Sequence, residues 1–354
     1  MRHMTDIMAM VRGGRLQEAT AAIQGSLGGA AAGPVLRTAE PAMRDVTPRP
    51  IGLPGPATPG APPRRPRAEA RPRRPAAPRP PRAPGAVPEG GLWERHDFDG
   101  LPARLFVPAE ADEAAPLLVM LHGCTQTPED FALGTGMCHA AGAVGAHVLW
   151  PEQTRAHNPN GCWSWFEPAH QGRGGEAGAI AGAARAVAAR IGTGAAGIHV
   201  AGLSAGGAMA AILGAEHADL VASVGIHSGL APGSARDVAS AFAAMRGGAA
   251  GRATLRVPAI VFHGDADRTV VPANARALAG GTLRARPRRI AEGGRTCRVT
   301  EVAATAGGAA LELWEVEGLG HAWSGGDAAG SHADPLGPDA TAEMLRFFGA
   351  HPKG

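Results

Sequence analysis

The chain has 354 residues, 45% of them hydrophobic and 18% charged, with a formal net charge of only +3. That balance allows a sizeable core, while 52 glycines and 31 prolines point to many turns or a disordered part. Four scattered cysteines, Cys124, Cys138, Cys162 and Cys297, are too few for a disulfide framework and lack zinc-knuckle spacing. No metal or cofactor is therefore expected. No stretch approaches the roughly 18 uncharged apolar residues of a membrane span.

In residues 1–32, Met4, Ile7, Met8, Val11, Leu16, Ala19, Ile23 and Leu27 recur at helical spacing, with Gly13-Gly14 as a break. This predicts a short amphipathic helical segment that packs on the rest of the chain, self-associates or adheres to an apolar surface such as a polymer granule. Asp6, Arg12, Arg15, Gln17 and Glu18 interrupt any continuous apolar run of the signal-peptide kind. A cytoplasmic location is expected. Residues 33–91 are dominated by Pro, Ala and Arg, as in Pro62-Pro63-Arg64-Arg65-Pro66-Arg67, and read as a disordered, extended linker. The linker has no interleaved aromatics for stacking bases, so no nucleic acid is expected as a partner.

From 92 to 354 apolar strand-like runs alternate with helical ones. Strands are predicted at 103–107, 116–121, 146–150, 197–203, 221–227, 259–263 and 311–316. Helices are predicted at 129–141, 176–191, 205–217 and 340–348. The alternation predicts one α/β domain with a mainly parallel sheet and helices on both faces.

The run Ile198-His199-Val200-Ala201 leads into Gly202-Leu203-Ser204-Ala205-Gly206-Gly207, and helix-forming residues follow. G-x-S-x-G between a strand and a helix holds a serine on a sharp turn that only flanking glycines permit. Ser204 is thus a candidate nucleophile, and the Ala205 N–H at the helix start a candidate oxyanion donor. Such a serine requires an acid and a histidine further along the chain. The loop His263-Gly264-Asp265-Ala266-Asp267-Arg268-Thr269-Val270 offers two aspartates. The loop Gly318-Leu319-Gly320-His321-Ala322-Trp323, just past a strand, offers His321. His122 and His263 also sit at strand ends and read as structural. After the run 117–121, His122-Gly123-Cys124-Thr125-Gln126 can supply the Cys124 N–H as a second oxyanion donor, with Gly123 permitting the bend.

His-Gly-x-x-Asp-x-x-Val at 263–270 resembles the acid loop of many α/β-hydrolases, which favours Asp267 over Asp265. More broadly, the chain from about 117 to 348 resembles the poly(3-hydroxybutyrate) depolymerase family of esterases, to which feruloyl and acetylxylan esterases are related. The resemblance rests on Leu121-His122-Gly123-Cys124-Thr125-Gln126, Trp150-Pro151-Glu152-Gln153, Cys162-Trp163-Ser164-Trp165-Phe166, Gly202 to Met209, and Gly320 to Gly326. It implies an α/β-hydrolase fold and a triad of Ser204, Asp267 and His321. It also implies a polyester or small ester as substrate, first a short-chain polyhydroxyalkanoate or its oligomers and second a feruloyl or acetylxylan ester. A granule-surface protein with a vestigial hydrolase fold is the reading from another class.

With aromatics at only 4% and no tyrosine, Trp163, Trp165 and Trp323 are expected either to fill the core or, for at least one of them, to wall the substrate site. Cys124 and Cys162 are left open between a disulfide, as in secreted relatives, and free thiols in a reducing compartment. The N-terminal layout resembles intracellular members with granule association; export, as in many members, is the alternative.

Overall fold

A computed structural model describes residues 90–353, apart from 112–114, 194–196, 248–253, 280–285 and 304–308. The helical segment expected at 1–32 and nearly all of the expected linker lie outside the described residues.

The first strands are β1 (Gly91–Phe98), β2 (Leu101–Pro108) and β3 (Leu117–Leu121), followed by helices α1 (Pro128–Thr135) and α2 (Met137–Gly142). Then come β4 (His147–Pro151), α3 (Gly175–Ile191), β5 (Ile198–Leu203), α4 (Ala205–Glu216), β6 (Val221–His227) and α5 (Val238–Met245). The chain continues through β7 (Ala259–Gly264), α6 (Ala273–Leu278), β8 (Arg288–Glu292), β9 (Arg295–Val302) and β10 (Leu311–Val316). The short pair β11 (Trp323–Ser324) and β12 (Ala333–Asp334) precedes the closing helix α7 (Ala340–Ala350).

Ten strands form one sheet in the order β1-β2-β4-β3-β5-β6-β7-β10-β9-β8. The six from β4 to β10 in that order run parallel, while β1 and β2 on one flank and β9 and β8 on the other are antiparallel. The expected mainly parallel sheet is present. Its central strands are buried at every residue, as runs such as Leu-Leu-Val-Met-Leu in β3 require. Alternate residues serve two cores. Leu117, Val119, Leu121, Ile198, Val200 and Val261 pack on the side of α3, α4, α5 and α6. Leu118, Met120, Ala201, Leu203, Ile260 and Phe262 face α1, α2 and α7. The period of two thus divides each strand between two helical layers, and a fully buried Phe262 stabilises its side by about 2–3 kcal/mol.

Three expectations are corrected. The single helix expected over 129–141 is two, because Gly136 adopts φ +63° and caps α1 while starting α2. A left-handed glycine cannot continue an α-helix. β1 starts at Gly91, one residue inside the expected linker, and β1, α5, α6, β8, β9, β11 and β12 are elements that periodicity did not reveal. Among the described residues no helix is long and apolar enough to cross a membrane.

Candidate active site

Ser204 sits between β5 and α4 at φ 57° and ψ −117°. That region costs an L-residue on the order of 1–3 kcal/mol, so the surroundings must enforce it. They do so by close backbone approach. A Cβ on Gly202 would lie 2.7 Å from the Leu121 carbonyl oxygen, and one on Gly206 would lie 2.6 Å from the His122 oxygen and collide with that of Leu121. Only glycines let the β5 turn cross the end of β3 so tightly. The Ser204 N–H donates to the His227 carbonyl at 2.9 Å, tying the turn to the end of β6. Ala205 is the first residue of α4, where backbone N–H groups lack partners within the helix.

The same edge of the sheet carries the other candidates. Asp267 follows β7 and His321 follows β10, and those two strands are neighbours. The Ala266 N–H donates to the Leu319 carbonyl at 3.1 Å, joining their two loops. His321 Nδ1 lies 2.7 Å from Asp267 Oδ2. The other carboxylate oxygen, Oδ1, accepts from the N–H groups of Thr269 and Val270 at 2.9 Å each. Burial works to raise the Asp267 pKa, but the His321 hydrogen bond and charge, with the Val270 N–H and the charge on His263, outweigh it and leave the carboxyl below its ordinary value. A carboxylate that stays ionised requires a proton on Nδ1, which leaves the lone pair on Nε2. Asp265 is not in this set: its carboxylate accepts from the Gly318 N–H at 2.7 Å as a turn residue.

Of the expected triad, Asp267 and His321 are in direct contact and Ser204 shares their edge. On the other side of the serine, a Cβ on Gly123 would stand 3.6 Å from the Ser204 Cβ, so the loop after β3 lies against the Ser204 turn. Cys124 is bonded to Cys162 through a disulfide, which decides the alternative left open by sequence. Cys138 and Cys297 are buried thiols, and burial pushes the Cys297 pKa up to about 11.

Trp163, Trp323 and Trp165 expose 0%, 1% and 6% of their surface and pack within the two cores. Trp163 Nε1 donates to the His122 carbonyl at 3.1 Å, and Trp323 Nε1 donates to Thr341 Oγ1 at 3.0 Å. Trp165 packs edge-on against Phe166.

Sequence reasoning missed His227. It is fully buried between Trp323 and Phe262, stacked on both, and its Nε2 accepts the Ser324 N–H at 3.1 Å. Burial first, then the charges of His263 and His321, lower its pKa to about 3, so it is neutral and anchors the histidine loop. A histidine at the end of an apolar strand gives no pattern by which to find this. His263 Nε2 donates to the Val270 carbonyl at 2.7 Å and lies 3.5 Å from Asp267 Oδ2. Among the described residues no group of three or more His, Cys, Asp or Glu is arranged to hold a metal.

Residues 101–304 match the family described as Esterase PHB depolymerase. The matched stretch includes Ser204 and Asp267 and ends before His321. The chain is 32% identical over 184 residues to a poly(3-hydroxyalkanoate) depolymerase C from Paucimonas lemoignei, covering 48% of this chain and 44% of that protein. It is 27% identical over 242 residues to a poly(3-hydroxybutyrate) depolymerase from Ralstonia pickettii, covering 59% of this chain and 48% of that one. The chain thus spans less than half the length of the curated relatives it matches. An acetyl xylan esterase from Aspergillus awamori superposes with a TM-score of 0.56 at 17% identity, covering 73% of this chain and 99% of that structure, which is a likeness of fold. With more than half of its length matched to the family and an α/β-hydrolase architecture around the Ser204 turn, the chain belongs to the Esterase PHB depolymerase family.

Proposed function

We propose that the protein is a serine esterase that cleaves short-chain polyhydroxyalkanoate, or its oligomers, through an acyl-enzyme. The observation that carries this reading is the 2.7 Å Asp267–His321 hydrogen bond at the sheet edge that also bears the strained Ser204 turn. Family membership and the depolymerase relatives support the ester class and the substrate.

In this reading Nε2 of His321 takes the Ser204 proton as the hydroxyl oxygen attacks the ester carbonyl. Asp267 holds the Nδ1 proton and stabilises the imidazolium. The N–H groups of Cys124 and Ala205 receive the developing oxyanion. His321 returns the proton to the departing alcohol, and a water deprotonated by the same imidazole hydrolyses the acyl-enzyme. The residues require no metal or cofactor for any of these steps.

The test is turnover by the wild type and Ser204→Ala on p-nitrophenyl butyrate, hydroxybutyrate oligomers, amorphous polyhydroxybutyrate granules, methyl ferulate and acetylated xylan. The reading expects cleavage of the first three and a serine variant that is inactive on all. Cleavage confined to the plant-type esters would overturn the substrate, and an active Ser204→Ala would overturn the mechanism.

A further inference from the structure

The two oxyanion donors of the proposed mechanism are held by different means. The Ala205 N–H belongs to the first residue of α4, and its direction is set by the helix and by the Ser204-to-His227 backbone bond. The Cys124 N–H belongs to a loop peptide whose preceding residue is Gly123. Glycine allows the close approach to Ser204, yet it also leaves the Gly123–Cys124 peptide plane freer to rotate than any other residue would. Rotation by half a turn would present a carbonyl oxygen in place of the N–H, repelling the charge it should stabilise.

Both polar groups of Gly123 are claimed by buried side chains. His122 is 1% exposed. Its Nε2 lies 3.1 Å from the Gln153 backbone N–H, which can only donate, so Nε2 carries no proton. The proton is on Nδ1, which donates to the Gly123 carbonyl at 2.8 Å. Burial keeps the His122 pKa low, and the ring remains in this one neutral tautomer. At the other side of the residue, the Gly123 N–H donates to Gln126 Oε1 at 2.9 Å. The Gln126 amide cannot be reversed, because its Nε2 donates to the Ser331 carbonyl at 2.9 Å and to Asp130 Oδ2 at 3.2 Å. The Gln126 N–H adds a second bond to the Gly123 carbonyl at 3.3 Å.

The Gly123–Cys124 peptide is trans, so its N–H points opposite to its carbonyl. A carbonyl fixed on His122 therefore fixes the Cys124 N–H facing away from the imidazole. We infer that His122 and Gln126 are positioning residues for the two peptide planes that flank Gly123: His122 holds the carbonyl of the Gly123–Cys124 peptide and the Gln126 side chain holds the N–H of the His122–Gly123 peptide before it, so that the Cys124 N–H stays in the orientation that serves the oxyanion. This rests on the serine-esterase reading above. Both side chains are buried, and each acts through a peptide plane that flanks Gly123. The disulfide from Cys124 to Cys162 and the Thr125 N–H bond to the Asn160 carbonyl at 2.9 Å fix the far end of the loop, but neither engages the Gly123 carbonyl.

The experiment compares wild type, His122→Asn, Gln126→Leu and Ser204→Ala, each checked for folding by near-ultraviolet circular dichroism and thermal melting. The readouts are kcat and KM on p-nitrophenyl butyrate, affinity for butyrate, and affinity for a trifluoromethyl ketone that forms an oxyanionic adduct with the serine. A clamp lost from either side should lower kcat about 100-fold, the scale of one missing oxyanion donor. Trifluoromethyl ketone affinity should fall in parallel, while KM and butyrate affinity stay within about threefold. A merely structural role would instead lower the folded fraction or weaken all ligands alike. Wild-type kcat in either folded variant, or a kcat loss with unchanged ketone affinity, overturns the clamp. The two clamp variants act from opposite sides, so one that fails to fold leaves the other to decide. An inactive Ser204→Ala beside fully active clamp variants sinks this inference alone, whereas an active Ser204→Ala sinks the esterase reading and the clamp with it.

Discussion

The carboxyl ends of β5, β7 and β10 and the outer flank formed by β8 and β9 belong to one sheet and follow opposite rules. At the centre every strand residue is buried, the loops after β7 and β10 are joined by the Ala266 N–H bond to the Leu319 carbonyl, and Ser204 is held in a strained conformation. At the flank β8 carries Arg288, Arg289 and Glu292 exposed, and its ion pairs, such as Arg289–Glu317 at 2.9 Å, face water. The centre supplies rigidity, which a site needs so that its groups are already aligned. The flank supplies a charged edge that discourages pairing with other strands.

Substitutions should separate the two regions. The largest effect is expected for Ser204→Ala, which should reduce ester turnover by about 10⁴- to 10⁶-fold without lowering the melting temperature; relief of the strained serine does not arise, since alanine keeps the same backbone. Asp267→Asn should reduce kcat by about 10³- to 10⁴-fold, because the amide stabilises neither the Nδ1–H tautomer nor the imidazolium.

The same aspartate gives a pH test. Its folded pKa is lowered, so its contribution to stability is complete above the ordinary value of about 3.9 and is lost as pH falls through the lowered one. The melting-temperature gap between wild type and Asp267→Asn should therefore be widest near neutrality and shrink towards pH 3. A gap that widened on acidification would contradict the direction of the shift.

How much of this was legible beforehand follows the same division. The central strands were readable because burial on both faces demands continuous apolar runs, as in 117–121 and 259–263. Ser204 and His321 were legible as candidates because a serine between flanking glycines and a histidine in a loop just past a strand stand out by residue type and position, whereas Asp267 was preferred to Asp265 only through the resemblance of 263–270 to the acid loop of α/β-hydrolases. β8 and β9 were not legible, since the strands of a charged flank that carry Arg288, Arg289, Arg295 and Arg298 alternate too weakly to stand out. The burial of Trp163 and Trp323 was not either, because a tryptophan that seals a core and one that lines a cleft look alike until its neighbours are known. The pairing of Gln126 with Gly123 and Ser331, and of His227 with Ser324, is tertiary contact that spacing along the chain does not encode.

The disulfide lies between these extremes. It closes a loop with a sequence separation of 38 and tethers the Cys124 loop to the Trp163 segment. Cys124→Ser with Cys162→Ser should cost about 4 kcal/mol in the chain-entropy account, read as a lower denaturation midpoint. Its effect on kcat should be smaller than that of losing either His122 or Gln126, because those two hold the peptide planes on either side of Gly123. The smallest effect is expected at the flank: Arg289→Ala removes an exposed ion pair and should leave both kcat and melting temperature within error. A large loss there would erase the distinction between the two regions.

The most direct measurement is peptide mapping by mass spectrometry after reaction with an ester-mimicking phosphonate, run in parallel with p-nitrophenyl butyrate turnover. The account predicts one adduct, on Ser204, formed in proportion to lost activity and absent from Ser204→Ala. Complete inactivation with the adduct on another residue, or full turnover in a Ser204→Ala protein, would contradict it.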